Sequence, residues 1–361
     1  MLKRVLSIVI LGLTAVLLVP SARAATTTPI SIYGVWHAGN DYCIWGSART
    51  LAEFDLKNKW LIDRGDTSGL PSVNLVILSF VHPLNLLNLA NDAQTTNGVP
   101  IGMTQDIVNY FKGKNVRVML SIGGITYVDA WNQALATNPT QLGINAAAVA
   151  LRLGVGIEID YEENTNPNLA GLQAFITAYR SAVPYDATGV NPAARLTIDL
   201  AAGDRWLIDL TRKATADWLN TTAPVLDYAN AMVPARQPGR AADAIANWQE
   251  HIDGKPQYAP PILPLAPAKF TGGLYLVTSR RPALECVQFS GSLEDTTGSY
   301  VQNVAPKTGT TPGMLGFMFW AAECQGTRTI CTTPPNTCEN GVGVGARTYN
   351  IPIPMPPLRQ N

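Results

Sequence analysis

The sequence predicts an α/β protein built as one (β/α)8 TIM barrel, and three features carry this prediction. Eight short runs are almost continuously apolar, which is typical of parallel strands buried on both faces. Segments with helical periodicity alternate with these runs along the chain. No glycine-rich phosphate loop follows the first run, which argues against an open, doubly wound sheet.

The predicted elements follow one another in a regular order. The strands are expected at 31–36, 73–81, 116–124, 154–162, 195–203, 225–233, 272–277 and 313–321. The clearest helix candidates between them are 106–114, 146–153, 169–183 and 240–252. A glycine-rich run at 341–346 precedes no helix candidate, so we interpret it as a flexible loop.

The amino-terminal segment 1–24 has the pattern of a secretory signal peptide. Lys3 and Arg4 precede an apolar run, and Ala22-Arg23-Ala24 matches an A-x-A cleavage site. No later segment approaches about 18 consecutive apolar residues. The mature chain is therefore expected to be soluble and secreted, either extracellular or periplasmic, with one barrel domain over 25–323.

Residues 324–361 form a Cys/Pro-rich tail that is expected to pack on the barrel. An odd number of cysteines leaves one thiol unpaired or paired elsewhere, and their spacing fits no CxxC zinc pattern. Export favours disulfides, so a stapled loop is the preferred interpretation of the tail. The cysteines are Cys43, Cys286, Cys324, Cys331 and Cys338.

The charge balance excludes some classes of partner. The chain has 26 basic and 26 acidic residues, and removal of the leader's basic residues leaves a small acidic excess. This argues against nucleic acid and against an anionic membrane, and we expect a monomer. With three histidines and no G-x-S-x-G elbow, neither a metal, nor a cofactor, nor a serine triad is expected.

One predicted strand carries three acids at alternate positions. Glu158, Asp160 and Glu162 share one face because side chains alternate along a strand, and in a barrel that face is the interior. A surface location is disfavoured because central parallel strands have no solvated face. Crowded carboxylates raise one another's pKa, so at least one should hold a proton near neutral pH. An acid beside a carboxylate is what glycosidic bond cleavage requires.

The same strand resembles a known signature. The stretch 155–162, "VGIEIDYE", is similar to the D-G-x-D-x-D-x-E of family 18 glycoside hydrolases, which include chitinases and endo-β-N-acetylglucosaminidases. The family's third-strand S-x-G-G is present as 121–124, and its eighth-strand tryptophan corresponds to Trp320. The resemblance covers roughly 30–323 and implies the same barrel.

The resemblance implies a retaining, substrate-assisted mechanism on β-1,4-linked N-acetylglucosamine glycans. Glu162 would protonate the leaving oxygen, the substrate's 2-acetamido carbonyl would attack the anomeric carbon, and Asp160 would orient that group. Glu158 would help to set the number of bound protons. The substrate-binding residues are expected to be Trp320, Trp36, Tyr161, Ser121, Gly123, Gly124 and Met232, with Trp131 as a further candidate.

This chain departs from the family pattern at three places. Val155 replaces the first Asp, Glu158 replaces the middle Asp, and 232–235 replaces a sixth-strand motif that carries a tyrosine hydroxyl. Loss of one pre-organised donor typically costs about 10²–10³ in rate. Compensation could come from Tyr228, Arg236 or Gln237.

Two alternatives therefore stay open beside a hydrolase. One is a catalytically inactive, sugar-binding protein on the same barrel, and the other is an unrelated barrel enzyme with metal-assisted chemistry. His37 and His82 follow the first two strands and are expected near the mouth of the barrel. Asp199 is expected to point inward, either beside the acids or as a structural acid.

Overall fold

The computed structural model describes residues 28–38, 45–47, 50–220, 222–232, 240–275, 289–320, 322 and 339–359. The strands are β1 (Ile32–Ala38), β2 (Leu75–Val81), β3 (Thr95–Thr96), β4 (Val99–Pro100), β5 (Arg117–Gly123), β6 (Gly156–Asp160), β7 (Leu196–Leu200), β8 (Ala229–Ala231), β9 (Phe270–Tyr275) and β10 (Gly316–Trp320). The helices are α1 (Leu51–Ile62), α2 (Pro83–Asn88), α3 (Gln105–Lys112), α4 (Val128–Thr137), α5 (Pro139–Leu153), α6 (Leu169–Ala182), α7 (Ile208–Lys213), α8 (Ala241–Asp253), α9 (Ser292–Asn303) and α10 (Glu339–Thr348).

Eight of the strands close into a parallel barrel, which confirms the predicted fold. Their order around the barrel is β1-β10-β9-β8-β7-β6-β5-β2, and β3 and β4 form a separate antiparallel pair. Every one of the eight strands falls on one of the predicted apolar runs. Because all eight run in the same direction, their carboxyl ends meet at one mouth of the barrel.

Helix ends follow local sequence signals. The side chain of Asn138 caps α5 by accepting from the backbone N–H of Gln141 at 3.0 Å, and Gly154 ends the helix with a φ of 65°. The prediction of 146–153 covered only the second half of this helix. The first half was missed because Pro139 and Gly143 weaken the helical signal, although proline is favoured in a first turn.

The floor of the barrel interior is apolar. One cluster of buried side chains comprises Ile32, Trp36, Leu75, Ile77, Met119, Tyr228, Leu315, Met318, Met355 and Leu358. The last two come from the carboxyl-terminal segment, which crosses the amino ends of the strands. Arg359 fixes that segment by donating to the backbone carbonyls of Gly313 and Met314 at 3.2 and 2.6 Å. The carboxyl-terminal segment thus closes the barrel at the amino ends of its strands.

The prediction of a flexible loop at 341–346 is wrong, because this run lies within α10. Val342 and Ala346 are buried, and the Tyr33 hydroxyl donates to the Val342 carbonyl at 2.9 Å. A Cβ at Gly345 would lie 2.4 Å from that hydroxyl oxygen. Glycine is a poor helix former in isolation, but here it allows the helix to pack directly on the barrel.

Several predictions fall outside the described residues. These include the leader, the five cysteines and the tail up to residue 338, so the signal peptide, the disulfides and the domain boundaries stay predictions. In the part of the chain that the structure describes, no helix is both long and apolar enough to cross a membrane.

Candidate active site

Three acids stand in a row from the barrel interior to its mouth. Glu158 and Asp160 lie on β6 with exposed fractions of 0% and 5%, and Glu162 lies just beyond the strand, partly exposed at the carboxyl-end mouth. Their alternate spacing places all three on the interior face. Buried carboxylates without partners are costly, so a row of three acids in a barrel interior points to a chemical role and not to packing alone.

Glu158 is held by donors from opposite sides of the barrel. Trp36 Nε1 on β1 donates to its Oε1 at 3.0 Å, and Asn230 Nδ2 on β8 donates to its Oε2 at 2.5 Å. The Asn230 carbonyl oxygen in turn accepts from the Thr271 hydroxyl at 2.7 Å. Burial raises the pKa of Glu158 to about 7, and the hydrogen bonds from Trp36 and Asn230 oppose the rise.

Asp160 has no comparable set of donors. Its Oδ1 is buried and has no hydrogen-bond partner among the described residues. Burial raises its pKa well above the ordinary value, and the neighbouring Glu162 and Glu158 raise it further. An unpartnered carboxyl oxygen is therefore available to a group that enters from the mouth.

Glu162 is suited to hold a proton near neutral pH. Burial raises the pKa of its carboxyl to about 7, and a hydrogen bond from the Ile125 backbone N–H opposes the rise. General acids work best when their pKa lies close to the working pH. Asp160 and Glu162 thus form a pair of coupled acids at the mouth, in which one proton can be given away while the other group carries charge.

The turn after β5 holds the end of the acidic strand in place. The Gly124 N–H and Trp131 Nε1 both donate to the Asp160 backbone carbonyl, at 2.9 and 3.0 Å. Gly123 has a φ of 118°, and a Cβ there would lie 1.9 Å from the Asp160 carbonyl oxygen. The glycine pair of the S-x-G-G motif thus acts on the backbone that positions Asp160. Ser121 of that motif is fully buried beside Glu158, with which it is in register.

Aromatic side chains pack together near the carboxyl ends of β1, β2 and β10. Trp320 ends β10 and is half-buried, with the Phe80 ring 5.8 Å away at an interplanar angle of 32°. Trp36 meets Trp320 edge-on at 6.4 Å and is itself buried. Met232, at the end of β8, is also partly exposed. Phe80 was not identified from the sequence, because it sits in an apolar run and turns toward the mouth where the β2–β5 register shifts.

Other sequence candidates lie away from this mouth. Tyr161 is on the opposite face of β6 and is buried, and its hydroxyl contacts Asn132 and accepts from the Asn168 N–H at 2.9 Å. Trp131 is fully buried in its bracing position, so it is not a sugar platform. The placement of Tyr161 and Trp131 therefore does not support the substrate contacts expected of them.

Three further expectations concern histidine and tyrosine. His37 is buried on the outer side of β1, where its Nε2 lies 2.7 Å from Asn58 Oδ1, so its expected place at the mouth is wrong. His82 is half-buried, and its ring packs on Tyr127 at 4.7 Å. Tyr228 belongs to the apolar floor. It therefore cannot replace the tyrosine hydroxyl that is missing from the sixth barrel strand, which is β8. Val233–Gln237 lies outside the described residues.

Asp199 points inward from β7 and lies beside Glu158, which settles its direction. It adds a third buried carboxyl beside Glu158 and Asp160 of β6. Among the described residues, no group of three or more His, Cys, Asp or Glu side chains has an arrangement that could hold a metal ion.

Comparisons with known proteins give similar solved structures at low sequence identity. No protein-family model and no curated protein matches the chain. A chitinase from Rhizomucor miehei aligns at 12% identity and a TM-score of 0.48, over 87% of this chain and 99% of that one. A family 18 N-acetylglucosaminidase from Paenibacillus barengoltzii aligns at 11% and 0.47, over 87% and 99%. A mutant Cycas revoluta chitinase with (GlcNAc)4 aligns at 13% and 0.48, over 88% and 99%.

Proposed function

We propose that this chain is a divergent family 18 glycoside hydrolase that cleaves β-1,4-linked N-acetylglucosamine glycans of the chitin type. The observation that carries the proposal is the row of acids on β6. Glu162, with a pKa raised to about 7, stands at the mouth directly above the buried Asp160. A proton donor beside a carboxyl that can become charged is the machinery of glycosidic cleavage.

The first step uses the Glu162 proton. As the glycosidic C–O bond breaks, this proton passes to the leaving oxygen, and the substrate's 2-acetamido carbonyl oxygen bonds to the anomeric carbon. The product is an oxazolinium ion, so no carboxylate of the protein becomes covalently attached. Water then attacks the anomeric carbon and the Glu162 carboxylate takes the water's proton. The bond from the anomeric carbon to the acetamido oxygen breaks, the 2-acetamido group is restored, and the configuration of the sugar is retained.

Asp160 has the surroundings needed to assist this chemistry. Its unpartnered Oδ1 can accept from the acetamido N–H and hold the carbonyl oxygen toward the anomeric carbon. Its raised pKa reflects burial and negative neighbours, both of which a positively charged oxazolinium would offset. Ionised Asp160 would then stabilise that ion in a site of low dielectric.

The mouth also offers surfaces for a sugar ring. Trp320 and Phe80 present aromatic carbon next to the acids, and such faces bury the apolar side of a pyranose. We place the reacting sugar over Trp320, with Met232 and Trp36 bordering it. Export as a monomer that acts on soluble oligosaccharide completes the proposal, supported by the leader-like segment 1–24.

The decisive experiment compares wild type with Glu162→Gln on N-acetyl-chitooligosaccharides and on a high-mannose glycopeptide. We expect wild type to cleave the chitooligosaccharides and the variant to lose at least about a hundredfold in kcat, because a general acid contributes about 10²–10⁴. Glu163→Gln is the matched control, since Glu163 is bonded to the Thr165 N–H and Asn132 and does not join the acid row.

Each other outcome has a defined meaning. Tight binding by both wild type and Glu162→Gln without cleavage by either would replace the proposal with a sugar-binding protein on this barrel. Cleavage that survives in Glu162→Gln would refute the assigned proton donor. Activity that disappears on addition of a chelator would favour an unrelated, metal-assisted barrel enzyme.

A further inference from the structure

Asp199 is a buried acid that the proposed reaction does not use. It lies on β7 with an exposed fraction of 2% and is paired in register with Asn230 on β8. The β6–β7 register pairs Ile159 with Ile198, so Asp199 stands level with Asp160. It therefore belongs to the interior layer directly below the mouth, with no access to solvent.

The Asp199 and Glu158 carboxyls lie close enough to share a hydrogen bond. Two ionised carboxylates offer only acceptors, so such a bond requires one proton between them. Both Glu158 oxygens already accept N–H donors, from Trp36 at 3.0 Å and from Asn230 at 2.5 Å. Asp199 Oδ1, in contrast, has no partner among the described residues. The Asn230 amide also bonds to the Asp199 carboxyl, whereas Trp36 bonds to Glu158, so Glu158 has the larger set of donors and the proton is favoured on Asp199.

We propose that Asp199 is a positioning residue that stays a neutral acid in the folded protein and donates its proton in a hydrogen bond to Glu158, which favours the ionised form of Glu158. The consequence for catalysis rests on the proposed function. When Glu158 is ionised, its negative charge lies beneath Asp160, on the side where an oxazolinium ion would form. Glu162, farther along the row, is left to carry the transferable proton.

The charges around Asp199 agree with this assignment. The ionisable groups that act on it from β6 are Glu158 and Asp160, and the neighbour from β8 is the neutral amide of Asn230. Burial is the largest cause that raises the pKa of Asp199 well above its ordinary value, followed by Glu158 and Asp160. Below this layer, the Tyr228 hydroxyl is also kept neutral by burial.

Proton release on unfolding tests the protonation of Asp199 without any substrate. An unfolded Asp is ionised above about pH 5, so a folded protein that keeps this proton must release it when it unfolds. We expect wild type to release about one more proton than Asp199→Asn between about pH 5 and pH 7, as read from the pH dependence of the urea midpoint. Equal release by the two proteins would overturn the proposal.

Asp186→Asn is the matched control for this measurement. The Asp186 side chain is partly exposed, and hydrogen bonds from Thr188 and Asn191 lower its pKa to about 2. It is therefore ionised in both states over the same range, and its removal should leave the number of released protons as in wild type.

The pH–rate profile tests the donor role. Asp199→Asn keeps an N–H donor toward Glu158, whereas Asp199→Leu has a similar volume and no donor. Loss of a donor makes Glu158 harder to ionise, so we expect the acid limb for Asp199→Leu to move up by about one pH unit, with Asp199→Asn staying close to wild type. Identical acid limbs for the two variants would refute the donor role. If wild type cleaves no substrate, the proposed function fails and proton release still decides the state of Asp199.

Discussion

Replacement of Gly123 by alanine should destabilise the protein and misplace the acids together. Gly123 has a φ of 118°, outside the region that side-chain-bearing residues adopt, and its new Cβ would lie 1.9 Å from the Asp160 carbonyl oxygen and 2.2 Å from Trp131 Nε1. Both of these atoms are backbone or tightly packed ring atoms. The clash can be relieved only if β5 and β6 move apart or Trp131 is displaced.

The expected cost has three parts. An alanine forced to a positive φ costs about 1–2 kcal/mol. Overpacking in a filled interior typically adds about 1–3 kcal/mol. Trp131 Nε1 would lose its bonds to the Ile122 and Asp160 carbonyls, at 3.2 and 3.0 Å, each of which contributes about 1 kcal/mol. We expect a loss of at least about 3 kcal/mol, which is a large share of the usual 5–15 kcal/mol.

The assay is urea unfolding of Gly123→Ala with Gly65→Ala as the matched control. Gly65 has a φ of 72° and would meet nothing within 4 Å of a new Cβ, so its substitution reports the backbone term alone. The difference between the two variants isolates the contact with Asp160 and Trp131. At a temperature where both variants are folded, Gly123→Ala should also lose at least about tenfold in kcat on chitooligosaccharides, because small displacements of catalytic groups are costly.

The result that would refute this reasoning is equal destabilisation by the two substitutions. It would mean that the turn after β5 yields without strain and does not hold the end of β6. Full catalytic activity in a destabilised Gly123→Ala would separate the brace from catalysis, and Asp160 would then be positioned by other contacts.

Three further predictions concern the acids of the barrel interior, the donor Asn230 and the aromatic residue Trp320. Since Glu158 and Glu162 have pKa values raised to about 7 in the folded state from an ordinary 4.5, they bind more protons folded than unfolded, so stability should fall as pH rises from about 4.5 to 7; a urea midpoint that rises over this range would contradict it. Asn230→Leu removes a donor to Glu158 and the acceptor of the Thr271 hydroxyl, and should lower the free energy of unfolding by about 2–4 kcal/mol at pH 7, with a smaller loss at pH 5, where Glu158 is protonated. Trp320→Ala should raise the KM for chitooligosaccharides at least about tenfold while Trp320→Phe retains most of the affinity, and equal KM values for the two would remove Trp320 from the sugar site.

The fold could be predicted from the sequence because its main signal, the apolar character of each strand, is local. Parallel strands covered by helices leave continuous apolar runs, and eight of these recur at spacings that fit closed barrel topology. The prediction failed where small residues allow close packing. The segment 341–346 reads as a loop because glycine disfavours helices, yet α10 forms there because its glycines let it contact Tyr33 and Phe289 closely. Tertiary contact overrode local propensity.

The site could be predicted only where strand alternation determines which way a side chain points. Alternation places the three acids of β6 on the interior face, and the same rule sends Tyr161 outward, which the resemblance-based expectation for Tyr161 overlooked. The resemblance drew attention to the S-x-G-G glycines, but their contact with the Asp160 carbonyl depends on the three-dimensional turn. Phe80 and Asn230 sit in short apolar runs without any motif, so only the structure reveals them beside Trp320 and the acids.

The extra methylene of Glu158 explains how a crowded set of acids can divide its roles. A longer side chain carries its carboxylate across the interior to Trp36 on β1 and Asn230 on β8, where two N–H donors satisfy it. Asp160 is therefore not needed as a partner for Glu158, and its Oδ1 stays unpartnered. Charge is held by one residue and presented to the substrate side by another. This division lowers the stability of the fold. Each raised pKa shows that burial disfavours the ionised form of that carboxyl, and apolar side chains at these positions would not carry this cost. This cost is the physical reason for our proposal that the acids act on a ligand that brings positive charge to the mouth.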